Sequence, residues 1–256
     1  MTNPALTRSS PLTEFRLAPN PGPMSLDGTN SYVLAARTTA AAVVVDPGPL
    51  DQEHLEHLAA RQVELVLITH RHADHTEAAA EFHRITGAPV RALDPAHCHG
   101  GAPLADGERI HAGGVDITVL ATPGHTSDSV CFQLPDDGAA GSVLTGDTIL
   151  GRGTTILDYP DGRLGPYLDS LRRLQALGQA TVLPAHGPVL PDLAAVCTEY
   201  IDHRQQRLDQ IRQALQTLGA EAPAGDVVDV VYHDVDASVR GAALKSVEAQ
   251  LDYLRS

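Results

Sequence analysis

Several residue types that often carry structural or binding roles are rare in this 256-residue sequence, which has no tryptophan, three phenylalanines and one lysine. No run approaches the roughly 20 apolar residues that cross a bilayer, so we expect no membrane partner. The first 16 residues lack the basic start and apolar run of a secretory signal, and we expect a cytoplasmic protein. Its three cysteines are an odd number at unrelated spacings, which fits reduced thiols better than a disulfide framework.

Positive charge is also scarce. Lys and Arg total 18 against 32 Asp and Glu, a formal net charge of −14. A surface field of this sign repels polyanions, so we expect no generic binding to duplex DNA.

Short apolar runs alternate with Gly, His or Asp clusters and helical patterns from about residue 30 to 188, as in α/β proteins. The run from Glu64 to Thr69 is continuous rather than alternating, which is typical of a strand buried on both faces. The predicted strands are Ser31 to Ala35, Ala42 to Val45, Val63 to Thr69, Val115 to Ala121, Val130 to Leu134, Ser142 to Leu144 and Ala180 to Leu183. The predicted helices in this part are Gln52 to Arg61, Thr76 to Thr86 and Pro166 to Leu177.

The pattern changes to helices alone after Pro191, so we predict a catalytic domain over 1–192 and a helical, winged-helix-like domain over 193–256. Its helices are predicted at Leu193 to Leu218, Asp226 to Tyr232 and Ala237 to Leu254. This tail has six cations and ten acids, a poor composition for gripping duplex DNA. Apolar residues recur along its first helix, so we expect it to pack on the catalytic domain or on a second chain in a homodimer.

Seven of the residues that follow predicted strands are potential metal ligands. Four lie within six residues directly after the buried strand, and the other three each stand beside a glycine. The carboxyl ends of strands converge at one edge of such a sheet, so these side chains are expected to meet there. They are His70, His72, Asp74, His75, His125, Asp147 and His186.

Five imidazoles and two carboxylates are enough to hold two divalent ions, most readily zinc, with Mn²⁺ or Fe²⁺ as alternatives and Asp147 able to bridge them. Two such ions share a water, lower its pKa toward about 7 and supply hydroxide as the nucleophile. Asp74 and Asp147 are the candidate catalytic carboxylates.

The spacing His70-x-His72-x-Asp74-His75, with His125, Asp147 and His186 downstream, resembles the metallo-β-lactamase superfamily in its binuclear hydrolase form. The resemblance implies a four-layer αβ/βα sandwich. It also implies one metal on His70, His72 and His125, a second on Asp74, His75 and His186, and Asp147 between them. True β-lactamases of the superfamily have a cysteine where Asp147 stands, so antibiotic hydrolysis is not implied.

Further segments, including Gly28-Thr29-Asn30, Gly146-Asp147-Thr148 and Tyr200-Ile201-Asp202-His203-Arg204, resemble the β-lactamase-like protein 2 family. That resemblance implies a winged-helix-like carboxy-terminal domain, and its animal members are credited with ribonuclease activity on single-stranded RNA.

Candidate substrate contacts follow the bridging aspartate and lie on the first tail helix. Arg152, Thr154 and Thr155 could line the cleft and donate to a phosphate or carboxylate. His203 and Arg207 share a helix face and could contact substrate if that helix caps the cleft. His54 and His57 are three residues apart on a helix, and we interpret them as a solvated surface rather than a metal site.

The sequence thus favours a binuclear zinc hydrolase that acts on a small ester, thioester or phosphodiester. A single-strand-specific endoribonuclease is the first alternative, with single-stranded RNA as its partner. A non-catalytic regulator that metal only stabilises is the second.

Overall fold

A computed structural model describes residues 6–233 and 240–256 of the protein. Within these residues the chain forms two sheets and seven α-helices. The strands are β1 Thr7–Arg8, β2 Thr13–Leu17, β3 Asn30–Leu34, β4 Ala41–Val45, β5 Gln62–Leu67, β6 Val90–Arg91, β7 Arg109–Ala112, β8 Val115–Ala121, β9 Val130–Leu134, β10 Ser142–Gly146 and β11 Thr181–Pro184. The helices are α1 Gln52–Leu58, α2 Ala73–Thr76, α3 Ala79–Thr86, α4 Leu164–Gln175, α5 Leu193–Leu218, α6 Ala224–Val231 and α7 Arg240–Arg255.

The first sheet contains β1 to β6 in sequence order, and the second has the order β11-β10-β9-β8-β7. In the first sheet, β1 to β4 pair antiparallel, whereas β4, β5 and β6 pair parallel. In the second sheet, β10 and β11 are parallel and the other pairs are antiparallel. Each of the strands β5, β10 and β11 therefore belongs to a parallel pair. Their carboxyl ends open on one edge of the two-sheet sandwich.

Four layers result from the way these sheets bury their apolar faces. Val43, Val45 and Leu67 of the first sheet meet Val119 and Phe132 of the second in a shared core. The outer face of the first sheet packs against α1 and α3, and that of the second against α4 and α5. The predicted four-layer αβ/βα sandwich is confirmed.

The main differences from the predicted elements are at boundaries and edges. The helix expected over Thr76 to Thr86 begins only at Ala79, as α3, because the chain turns at Glu77 and Ala78 after the separate short helix α2. The strands β1, β2, β6 and β7 were not predicted, and two of them, β1 and β6, have only two residues each. The predicted start of the last helix, at 237, lies outside the described residues.

One surface assignment on α1 is wrong. His54 is fully buried, and its Nε2 lies 2.9 Å from Ser31 Oγ, because it lies on the helix face that also buries Leu55 and Leu58. His57 is half-buried, with its Nδ1 2.7 Å from the carbonyl oxygen of Glu53.

The tail packs on the two-sheet part of the chain. Leu193, Cys197 and Tyr200 of α5 lie in the same apolar cluster as Leu171 of α4 and Val182 of β11. The second half of α5 forms a separate cluster with α6 and α7. Among the described residues no strand follows Pro184, so a winged-helix hairpin is absent there.

In the described ranges no helix combines the length and the apolar character needed to span a bilayer.

Candidate metal centre

The two sheets each contribute part of one polar cluster. The segment that follows β5 and the short helix α2 carry His70, His72, Asp74 and His75. Three residues of the second sheet's loops complete the cluster: His125 after β8, Asp147 after β10 and His186 after β11. The structure brings together all seven side chains predicted as metal ligands, in two groups that could each hold an ion.

The first group is built around three ring nitrogens. Nδ1 of His72 lies 3.0 Å from Nε2 of His70 and 3.0 Å from Nε2 of His125. The nitrogens of a tetrahedral zinc site are about 3.3 Å apart, given zinc to nitrogen bonds of about 2.0 Å. The three imidazoles are thus already spaced to bind one ion.

The second group contains Asp74, His75 and His186. Oδ2 of Asp74 lies 3.2 Å from Nε2 of His186 and 3.4 Å from Nε2 of His75. Both histidines are completely buried, so their ring nitrogens face this group and not solvent.

Asp147 lies between the two groups and presents one carboxylate oxygen to each. Its Oδ2 lies 3.6 Å from Nε2 of His125 and 3.9 Å from Nε2 of His70. Its Oδ1 lies 3.3 Å from Nε2 of His186 and 3.7 Å from Nε2 of His75. A carboxylate placed in this way could bridge two ions.

Several buried polar atoms in the cluster have no hydrogen-bond partner among residues 6–233 and 240–256. They are Nε2 of His75, Nε2 of His186 and Oδ1 of Asp147. Unpaired buried polar atoms are costly, and a divalent cation would satisfy all three at once. The donor set, imidazole nitrogen and carboxylate oxygen, suits zinc, iron and other divalent transition metals.

Asp46 holds the side of the cluster nearest the first sheet, and sequence inspection missed it. Its carboxylate accepts hydrogen bonds from Nδ1 of His75 at 2.8 Å and from Oγ1 and the backbone N of Thr69 at 2.7 and 2.8 Å. Asp46 has a left-handed backbone, with φ 51°. Non-glycine residues rarely adopt this conformation, and Asp is among those that tolerate it best.

Like His75, each of the other four histidines in the cluster places its second ring nitrogen against a polar group outside the cluster. Nδ1 of His125 donates to the carbonyl oxygen of Ile156 at 2.6 Å, and Nδ1 of His186 donates to that of Gly28 at 3.1 Å. Such partners fix the tautomer and leave the inward nitrogen free to bind an ion. The remaining two contacts are His70 Nδ1 to Thr69 Oγ1, 3.1 Å, and His72 Nε2 to Asp158 Oδ2, 3.3 Å.

Electrostatics differ between the two groups. Burial lowers the pKa of His70, and the neighbouring His75 lowers it further. Burial also lowers the pKa of His125. Burial opposes charge on His186 too, but Asp147 and Asp74 outweigh it and raise its pKa to about 10. The carboxylates around the second group therefore favour positive charge, which a bound divalent ion would supply.

The backbone at Gly146 lets β10 deliver Asp147 close to the first sheet. Gly146 has φ 51°, and a Cβ placed there would lie 2.8 Å from Cβ of Thr69. The residue before Asp147 must therefore be glycine if the two sheets are to approach this closely.

A cleft of about 540 Å³ opens onto the cluster, and the tail helix α7 forms one wall. His72, Asp74 and His125 lie at the cluster side, and Ala242 and Lys245 of α7 lie opposite. Helix α7 of the tail thus frames one side of the cleft.

The predicted substrate contacts are distributed over two places. Arg152 is exposed and pairs with Asp27, 2.8 Å between Nη1 and Oδ2. Four others line a second cavity beside the cleft: Thr154, Thr155, His203 and Arg207. Thr155 also places its Oγ1 3.2 Å from Nδ1 of His125.

Comparison with protein-family models matches residues 24–186 to the metallo-β-lactamase superfamily. The chain belongs to this superfamily. The matched segment contains all seven candidate ligands, and the protein is accordingly a metal-dependent hydrolase of the metallo-β-lactamase fold.

Individual relatives extend the likeness beyond the matched segment. The β-lactamase-like protein 2 homolog of Caenorhabditis elegans is 31% identical over 271 residues, covering 98% of this chain and 88% of that protein. An atrochrysone carboxyl ACP thioesterase of Aspergillus fumigatus is 33% identical over 222 residues, covering 83% of this chain and 67% of that protein. A metallo-β-lactamase family protein from Thermus thermophilus superposes with a TM-score of 0.77 at 23% identity, over 96% of this chain and 93% of that one.

Proposed function

We propose that the protein is a binuclear zinc hydrolase whose substrate is a small acyl thioester or ester. The observation that carries the proposal is the position of Asp147, whose two carboxylate oxygens face different ligand groups. His70, His72 and His125 would hold one ion, and Asp74, His75 and His186 the other.

Two ions held in this way would lower the pKa of a shared water, supply a hydroxide nucleophile near neutral pH and polarise the scissile carbonyl. The chain itself orients the histidine rings. Asp46 and Asp158 fix the rings of His75 and His72, so the inward nitrogens keep their positions during turnover. No serine or cysteine nucleophile is required.

The cleft offers the substrate a largely apolar wall. Met24, Ile156 and Ala242 line it opposite or beside the ligand groups, and they suit an acyl chain. A thioester is favoured over other substrates because a relative that covers 83% of this chain is named as a thioesterase.

The test is hydrolysis of a panel of thioesters, esters, lactones and phosphodiesters by protein purified without chelator, with metal content measured on the same sample. We expect about two ions per chain and thioester hydrolysis that a chelator abolishes and zinc restores. Loading with Mn²⁺ and Fe²⁺ in parallel identifies the metal that supports the highest rate. Metal-loaded protein that hydrolyses phosphodiesters but no thioester would refute the substrate assignment.

A single-strand-specific endoribonuclease is the second candidate function. Its support is the likeness to the β-lactamase-like protein 2 homolog over 98% of the chain. The net charge of −14 weighs against it, because phosphate neutralisation supplies much of the affinity for RNA. Cleavage of a short single-stranded RNA that Asp147→Ala eliminates would establish this activity.

A further inference from the structure

A cavity of about 200 Å³ lies between α5 and α7, beside the cleft. Its lining includes His203, Arg204 and Arg207 of α5, Ser246 of α7 and Thr154 of the loop before α4. Among the described residues that line it, none is acidic. In a protein with 32 acidic residues and 18 basic ones, such a concentration of cations is unusual.

Arg204 lines this cavity with a buried guanidinium whose hydrogen bonds are incomplete. It is 4% exposed, and its Nη2 donates to the carbonyl oxygen of Thr155. Its guanidinium carbon lies 5.1 Å from the ring centre of Tyr167. Its Nε is buried without a hydrogen-bond partner, and among the described residues no carboxylate pairs with it. A buried guanidinium without a counter-ion is costly, so an anion from outside the chain would stabilise it.

Arg207 and His203, the other nitrogen-bearing side chains of the cavity, also have nitrogen atoms without a partner among the described residues. Arg207 packs its guanidinium 4.4 Å from the ring centre of Tyr232 and donates to Gln210 Oε1 at 2.7 Å, with no ion pair in the described part of the chain. Nδ1 of His203 is buried and has no hydrogen-bond partner there. His203, Arg204 and Arg207, at positions i, i+1 and i+4 of one helix, therefore have donors to spare for a single anion.

The cavity adjoins the proposed reaction site. Ile156 and Ala242 line both the cavity and the cleft. Thr155, whose carbonyl oxygen accepts from Arg204, precedes Ile156, whose carbonyl oxygen accepts from His125. A molecule with its scissile carbonyl at the metal centre can therefore extend along this wall into the cavity.

We propose that this cavity is an oxyanion subsite, in which Arg204, Arg207 and His203 bind a phosphate or carboxylate at the far end of the substrate. The proposal rests on the proposed hydrolase function and adds that the preferred substrates are anionic. A guanidinium recognises phosphate and carboxylate alike through paired N–H donors, so either group fits.

The kinetic test compares three thioesters of one acyl series: a neutral N-acetylcysteamine thioester, its succinyl counterpart with a free carboxylate, and an acyl phosphopantetheine with a phosphate. Arg207→Gln is the test variant because Arg207 is only half-buried, and Arg212→Gln is the matched control. Arg212 lies on the same helix and pairs with Asp209 at the surface, 2.7 Å.

We expect the wild-type protein and Arg212→Gln to prefer at least one anionic thioester, by kcat/KM, over the neutral one. In Arg207→Gln this preference falls about tenfold or more, chiefly through KM. Which anionic substrate loses its advantage identifies the group that binds. An equal loss on all three thioesters, or an unchanged preference, overturns the proposal.

Binding measured without turnover separates this inference from the proposed function. Inorganic phosphate and succinate are titrated calorimetrically into the metal-loaded protein and both variants. At least one anion should bind about tenfold more weakly to Arg207→Gln than to wild type or Arg212→Gln, even if no thioester is hydrolysed. Equal affinities of all three proteins for both anions refute the subsite.

Discussion

Lys245, the one lysine of the sequence, places its Nζ 2.7 Å from Oδ1 of Asp158. The other oxygen of the same carboxylate, Oδ2, lies 2.5 Å from Nη2 of Arg71 and 3.3 Å from Nε2 of His72. Burial opposes ionisation of Asp158, but Lys245, His72 and Arg71 together lower its pKa. One charged carboxylate thus connects the last helix of the chain to a proposed metal ligand.

Asp158→Asn should reduce metal affinity and kcat/KM by about 10- to 100-fold, the usual effect of removing an outer partner of a metal-binding histidine. The change keeps the size of the side chain but removes its charge from Lys245, Arg71 and His72. Metal titration with a competing chelator, together with steady-state kinetics, measures both effects. Asp169→Asn, at an exposed ion pair on α4, is the control and should change neither quantity.

Asp147→Ala should abolish turnover and leave the protein with fewer than two ions, because no other carboxylate in the described part of the chain is paired with both ligand groups. Elemental analysis gives the stoichiometry, and kcat on the best thioester gives the activity. Cys131→Ser serves as the control, since Cys131 is buried in the second sheet and touches Thr122 and Thr145 rather than the ligands. Near-normal turnover of Asp147→Ala would show that the bridge assignment is wrong.

Asp46→Asn tests the charge of the Asp46 side chain separately from its left-handed backbone conformation. Asn adopts the left-handed conformation about as readily as Asp, so the turn should survive. The loss of charge beside Nδ1 of His75 should weaken binding at the second group by about 10- to 100-fold. The expected result is selective loss of one ion on dialysis against dilute chelator, with an unchanged far-ultraviolet circular dichroism spectrum. Loss of both ions together, with an altered spectrum, would indicate a structural role instead.

His54 should make the protein acid-sensitive in a defined window. Burial, followed by the nearby Arg16, lowers its pKa to about 4, so the folded protein keeps it neutral. In the unfolded chain its pKa is near 6.5, so the unfolded state binds the extra proton between these values. The stabilisation by neutral His54 is therefore complete above pH 6.5 and is lost as pH falls toward 4.

Urea denaturation of wild type and His54→Gln at pH 7 and pH 5 measures this contribution. Wild type should lose about 2 kcal/mol more of unfolding free energy than the variant between the two pH values. His111→Gln is the control, because His111 is exposed beside Asp116 and has no such burial. The proposed metal ligands are the same in all three proteins, so their contribution cancels in the comparison. A variant that loses as much stability as wild type contradicts the prediction.

The sequence predicts the central ligands well because they are concentrated. His70, His72 and His75 come directly after an apolar strand, and their chemistry is evident without knowing what lies opposite. Asp46 was not predicted, because a single aspartate before Pro47 and Gly48 has the appearance of an ordinary turn. Only the parallel pairing of β4 with β5 brings it to His75.

The long-range contacts of the tail could not be predicted from the sequence either. Asp158 and Lys245 are 87 residues apart, and their contact depends on how α7 packs over the cleft. The error at His54 has a local cause. Glu53 and Glu56 suggest a solvated helix, but His54 points to the opposite face from them, beside Leu55 and Leu58.

The division of the ligands between the two sheets makes the metal centre a cross-link. Neither sheet completes either ligand group alone, since His125 joins His70 and His72 in one, and His186 joins Asp74 and His75 in the other. Bound ions would therefore tie the two halves of the sandwich together, as a disulfide does in secreted domains, in a protein whose three cysteines are all unpaired. Chelation should accordingly lower the melting temperature and speed amide exchange in β5, β10 and β11, with the gain in stability set by ion concentration relative to its dissociation constant.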